Sequence, residues 1–240
     1  MVTMLRRRSS LLCLMSTGAL MLSACSGSPT PTRTPARTAS PAPSSTPTPL
    51  PPDALTVEVL AAGVGTYALA AIPVAELKNK AAFHGAASVV AHFVTHRAGR
   101  KLGSLDSVPV NLGPGETLTV TADCTDACNG ATSVSVTVTV GTWPTSIGAV
   151  FTTVPASYSC HPCRAGHGYG DTRGTLAPAP AIASGTAVVG FAACRNRAGA
   201  ILGGGSVELV WPGGASVAVD IPVIVDAPPT SCALGASTGW

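Results

Sequence analysis

Ala86-Ala87-Ser88-Val89-Val90-Ala91-His92-Phe93-Val94-Thr95-His96 is the stretch on which the fold turns, because it supports two readings. As the end of a helix from Ala75 to His96 it would draw on Glu76, Leu77, Lys78, Ala81 and Ala82, all good helix formers. As a strand it alternates, with Val89, Ala91 and Phe93 on one face and Val90, His92 and Val94 on the other. An internal repeat decides between them. Val89-Val90 recurs as Val188-Val189, Arg97-Ala98-Gly99 as Arg197-Ala198-Gly199, and Leu102-Gly103 as Leu202-Gly203. Ser107-Val108 returns as Ser206-Val207, Pro114-Gly115 as Pro212-Gly213, and Leu118-Thr119-Val120 as Val217-Ala218-Val219, at an offset between 98 and 100. A period this long points to duplicated domains rather than solenoid units. The second copy, around Gly185 to Val189, carries two Gly and β-branched residues that make a helix poor. Strand is therefore the reading for both copies.

Working outward, Leu55, Val57 and Val59 alternate, and Tyr67 to Leu77 is a second apolar segment. Each copy then runs strand, Gly-centred turn (Gly99; Gly199), strand, Pro-Gly turn, strand. At Gly113-Pro114-Gly115-Glu116 the Pro sets φ and the Gly permits positive φ, so the chain reverses before Thr117–Thr121. Ser133 to Val140 is an alternating Ser/Thr–Val strand with one apolar face. The expected fold class is all-β: two tandem antiparallel sandwiches, 54–143 and 144–240. Gly203-Gly204-Gly205-Ser206 is expected to be a flexible turn between two strands.

The pattern resembles bacterial envelope Ig-like domains of the fibronectin-III or FxLYD type. In these a first strand ends in an Asn-containing turn, a central hairpin turns on a Gly, and a Pro-Gly-Glu turn precedes the next strand. The matching residues are Asn79, Gly99 and Pro114-Gly115-Glu116. The resemblance covers most of 55–141 and, more loosely, about 147–226. In the second copy Gly214 stands where Glu116 would be, and Asn79 has no clear equivalent. Such domains mostly bind or space, so the resemblance implies no chemistry.

Ahead of the repeat lie two segments of different material. Arg6, Arg7 and Arg8 precede an apolar run from Leu11 to Leu22, the charged and apolar parts of a secretory signal. Leu22-Ser23-Ala24-Cys25 is similar to the lipobox of bacterial lipoproteins at all four positions. The resemblance implies that 1–24 is removed and that Cys25 is acylated, anchoring the protein by lipid to the extracytoplasmic face of the cell membrane. Arg7-Arg8 also fits a twin-arginine signal, beside the plainer reading of an ordinary basic start. Twelve apolar residues are too few to span a bilayer. In 25–53, nine Pro alternate with Ser, Thr and Ala, a disordered tether of polyproline II character, with a glycosylated stalk as the alternative. The whole chain has 14 Lys and Arg against 11 Asp and Glu; loss of the three signal arginines leaves eleven of each. A neutral body has no electrostatic footprint for nucleic acid.

Six cysteines remain for the folded part: Cys124, Cys128, Cys160, Cys163, Cys194 and Cys232. An even number outside the membrane reads as three disulfides, with 124–128, 160–163 and 194–232 the preferred pairing. In the alternative, 160 and 163 each reach for 194 and 232. Cys160-His161-Pro162-Cys163-Arg164-Ala165-Gly166-His167 supports a sharper idea. Two thiols and two imidazoles within eight residues have the donor chemistry for zinc or copper(I), although this compartment oxidises thiols. The same spacing serves redox motifs, but those sit at a helix start that is not expected here. His92 and His96 would lie about 13 Å apart on a strand, too far to share a metal, and with His84 read as surface residues. Asp171 and Arg173 read as a surface pair; Trp143, Trp211 and Trp240 as core-edge or interdomain packing, with sugar stacking the alternative. His-Glu-x-x-His and phosphate-loop patterns are absent from the sequence, and no nucleophile elbow is expected. The expectation is a non-catalytic, cofactor-free envelope lipoprotein that binds an unspecified partner or spaces components apart. The alternative is a metal-binding lipoprotein using Cys160, His161, Cys163 and His167.

Overall fold

In Ala86–Arg97 the alternation wins. A computed structural model describes residues 53–239 except 69, 125–127 and 165–166, with backbone alone at 162–164 and 167. Within it this stretch is a strand that buries Val89, Ala91, Phe93 and Thr95 and turns His92 and His96 outward. The ladder slips between Ala86 and Val89, where Ser88 has φ +52°, so the inward phase resets before the long alternating run.

The first half contains β1 (Val57–Tyr67), β2 (Ala70–Asn79), β3 (Ala86–Arg97), β4 (Arg100–Asp106), β5 (Val110–Leu112), β6 (Thr117–Thr121) and β7 (Ser133–Thr139). One sheet runs β1-β2-β6; in the other β3 is flanked by β4 and β7, with β5 also on β3. The second half contains β8 (Val150–Phe151), β9 (Val154–Arg164), β10 (His167–Leu176), β11 (Pro178–Ala179), β12 (Ala187–Arg195), β13 (Ile201–Val210), β14 (Val217–Val225) and β15 (Ser231–Ser237). Its sheet runs β15-β12-β13-β14-β10-β9 and returns to β15, a closed barrel of six antiparallel strands. The two halves share one strand order. β9-β10-β14 answers β1-β2-β6, and β13-β12-β15 answers β4-β3-β7, as the sequence repeat requires.

The halves differ in closure, and at the β13–β14 seam three residues permit it. Gly203-Gly204-Gly205 is not a turn; it lies inside β13, where the ladder to β14 pairs Gly203 with Val225 and Gly204 with Ile224. A Cβ at Gly203, Gly204 or Gly205 would run into the carbonyls of Ile224, Ala192 and Pro222 respectively. Glycine in a strand interior marks this kind of close backbone approach. At the same repeat offset the first half has Gly103-Ser104-Leu105. Leu105 instead packs its side chain against the core, and among the described residues β4 pairs only with β3.

Each half has a principal core. Phe151, Leu176, Trp211, Ile221 and Leu234 fill the barrel, while Leu77, Val89, Phe93, Leu112 and Leu118 lie between the sheets of the first half. Val189 and Phe191 of β12 join the latter, because β12 is buried on both faces. Burying a Phe side chain contributes about 1.5–3 kcal/mol. Residues 50–240 accordingly form one compact unit, so the boundary expected at 143/144 separates two strand sets without separating two bodies. Polar contacts cross the same junction. Thr66 donates its amide and hydroxyl to Asp226 Oδ1, both at 2.7 Å. Arg195 meets Glu76 at 2.9 Å, and the Asn111 amide donates to Ser237 Oγ at 2.9 Å.

Candidate functional site

The hairpin of β9 and β10 carries the cysteine–histidine cluster. Its register sets Cys160 opposite Gly170 and Cys163 opposite Gly168, with one extra residue on the β9 side. Cys160 is disulfide-bonded. A sulfur in a disulfide is not a thiolate, so in this state Cys160 is no metal ligand. His161 is exposed; the side chains of Cys163 and His167 lie outside the described residues. Among the described residues there is no group of three His, Cys, Asp or Glu side chains that could hold a metal ion. Just before the cluster, Tyr158 Oη and Ser159 Oγ are buried without a hydrogen-bond partner among the described residues, and burial pushes the Tyr158 phenol up.

Two other disulfides join Cys124 to Cys128 and Cys194 to Cys232. The second ties directly opposed positions of β12 and β15, whose Cα atoms are 4.1 Å apart. Cys25 lies outside the described residues.

The histidines do not converge. His84 Nδ1 lies 2.7 Å from Asp53 Oδ2. That bond, with amides from Ala82 and Phe83, holds the Asp53 carboxyl below the usual range. His92 sits between Asp106 Oδ1 at 2.7 Å and Thr139 Oγ1 at 2.9 Å, and His96 reaches Ser135 Oγ at 3.0 Å. These bonds lace β3 to β4 and β7 across the outer face. Arg173 pairs with Asp220 at 2.8 Å across the β10–β14 ladder instead of with Asp171. Trp211 is fully buried with its ring edge-on to Phe151 at 5.9 Å, and Trp143 packs half-buried on the first core. Trp240 lies outside the described residues.

The motif residues behave as braces. Asn79 is fully buried; its amide donates to the carbonyls of His84 and Gly113 at 2.9 Å, and its Oδ1 accepts from Ala81 N–H. It thereby ties the β2–β3 turn to the β5–β6 turn. Glu116 accepts the Gly113 amide, and burial raises its carboxyl to about 7 against the pull of the Gly113 and Phe151 amides. The sequence reading passed over two surfaces. At the β3–β4 tip Arg97, Arg100 and Lys101 line an open hollow of about 400 Å³. Their spacing in the sequence was visible, but the ion pairing of the remaining charges was not. At the other edge of that sheet, among the described residues, β7 has a ladder to β3 alone, and β1 runs beside its far side.

No family model, curated protein or solved structure matches the chain.

Proposed function

We propose that this chain is a lipid-anchored envelope protein, held by Cys25 to the extracytoplasmic face of the cell membrane, that binds a partner or spaces components as a non-catalytic module. The observation that carries the reading is the pairing of Leu22-Ser23-Ala24-Cys25 with a body whose described cysteines (124, 128, 160, 194 and 232) are all disulfide-bonded. Disulfides of this density belong to oxidising compartments. The Pro-rich 26–53 stretch is the tether; at about 3.1 Å per residue it reaches at most roughly 85 Å from the membrane. Several acyl chains at about 0.8 kcal/mol per buried methylene hold such a protein durably. Each half is read as an Ig-like sandwich, the second closed into a barrel, and the shared core makes the pair a stiff head on a long leash.

The test is fractionation of wild-type cells and of a Cys25→Ala variant, with acyl labelling. The expected result is labelled wild-type protein in the membrane and unlabelled variant released from it. Unchanged membrane retention of the variant would contradict the anchor. Thiol counting on the same samples addresses the metal reading: free thiols at 160 and 163 with bound zinc or copper would favour it.

A further inference from the structure

We infer that the β3–β4 tip is a binding site for a phosphate monoester, held between Arg97 and Arg100 with Lys101 beside them. The hairpin reverses through Ala98 at φ +49° and Gly99 at φ +77°, which makes the two arginines direct register partners. Side chains opposed in this way share one face of the ladder with Cβ atoms about 5 Å apart, and like charges there are destabilising. Ala98 adds a second cost, because its Cβ is strained in a left-handed turn position that Asn or Gly usually takes. No acid relieves the pair. The ion pairs among the described residues are Lys80–Glu58, Arg173–Asp220, Arg195–Glu76, His84–Asp53 and His92–Asp106, and Arg97, Arg100 and Lys101 enter none of them. A strained turn thus gathers three exposed cations to no benefit of the fold, the kind of local cost that is kept at functional sites.

The second copy shows that the repeat does not need these charges. Arg197-Ala198-Gly199 repeats Arg97-Ala98-Gly99, but Ala200 and Ile201 stand where Arg100 and Lys101 would. That turn is braced from within: Asn196 Oδ1 accepts from the amides of Ala198 and Ala200, and Arg195 donates to the Gly199 carbonyl. The chemistry of the first tip selects the ligand. Its cations line an open hollow of about 400 Å³, a size within the range of small-molecule sites. Each guanidinium fork matches a pair of phosphate oxygens, and the lysine adds a point charge. A carboxylate has two oxygens and one charge, too few for two forks and an ammonium. A phosphate monoester brings three strong acceptor oxygens and close to two negative charges. The open side of the hollow leaves room for the alcohol it esterifies, which can be a soluble molecule or a lipid.

The full chain in nonionic detergent micelles is to be treated with phenylglyoxal, which modifies arginine, and the rate at each site followed by mass spectrometry. Glycerol 3-phosphate is the soluble probe, and phosphatidic acid added to the micelles is the lipid probe. Arg97 and Arg100 are expected to lose their reactivity as one or both probes are raised, while the exposed Arg197 keeps its own. The probe that protects identifies the source of the ester. Arg100→Gln removes one charge-assisted fork and is expected to raise the concentration that half-protects Arg97 about tenfold. The same variant removes the like-charge pair, so its melting temperature is expected to equal or exceed that of wild type. Absence of protection in both arms, or equal protection of Arg197, would overturn the inference. So would a melting temperature lowered by Arg100→Gln, which would assign that guanidinium to the fold. None of these readings depends on acylation, so they stand apart from the fate of the anchor.

Discussion

The two halves of the folded body carry one strand order and reach two different shapes. In the second, β13 lies close enough to β14, and β9 to β15, for six strands to close. In the first, the equivalent sheets face each other without joining. At the β13–β14 seam the difference is Gly203-Gly204-Gly205 against Gly103-Ser104-Leu105, that is, whether a side chain stands where two backbones would have to meet. Closure removes edges; an open sandwich keeps them. One sequence repeat thus supplies one half with a closed ladder and one half without it.

The comparison can be broken most severely at the glycines. Gly205→Leu, which gives β13 the residue of its first-half counterpart, forces a side chain into the Pro222 carbonyl and the neighbouring ladder. We expect a loss beyond about 4 kcal/mol, the range reserved for severe overpacking, measurable by denaturant melts. Next comes the barrel's cross-strand disulfide. Replacing Cys194 and Cys232 by Ala should cost about 4 kcal/mol by loop entropy for a separation of 38 residues.

Glu116 gives a smaller effect with a pH signature. Its folded pKa of about 7 lies above its ordinary 4.5, so the native state holds the proton more tightly between those values. Stability associated with it is full below about pH 4.5 and falls as pH rises through 7. Glu116→Gln should therefore stabilise by up to about 3 kcal/mol at pH 8, at 1.36 kcal/mol per unit, and change little at pH 4. Thermal melts at the two pH values check the sign. Smallest is the first half's own disulfide: Cys124→Ala with Cys128→Ala closes a separation of only four residues and should cost about 2 kcal/mol or less.

Much of this was readable in the chain. The period-two alternation of Val89 to Phe93 and its recurrence near Val188 carried the strand reading, because the side-chain period is a local property. Asn79 and Pro114-Gly115-Glu116 were legible for the same reason, since turn chemistry acts within a few residues. The triple glycine was misread as a turn because glycine signals both a reversal and a close approach. Only the position of Ile224, Ala192 and Pro222 tells which. The coupling of the halves had a clue in Val188 to Cys194, an apolar run suited to a strand buried on both faces. Which residues it would meet was not written there. Arg173 finds Asp220 47 residues away, a partner that spacing could not name. At the candidate site the donor types at 160–167 were legible, but their oxidation state was not.

Amide hydrogen exchange on the wild-type protein tests the contrast between the closed and unclosed halves most directly. The account predicts that alternate amides of 133–139 exchange quickly, while those of 232–234, bonded on both sides, are protected to the limit of global unfolding. Equal protection of the two strands would contradict it.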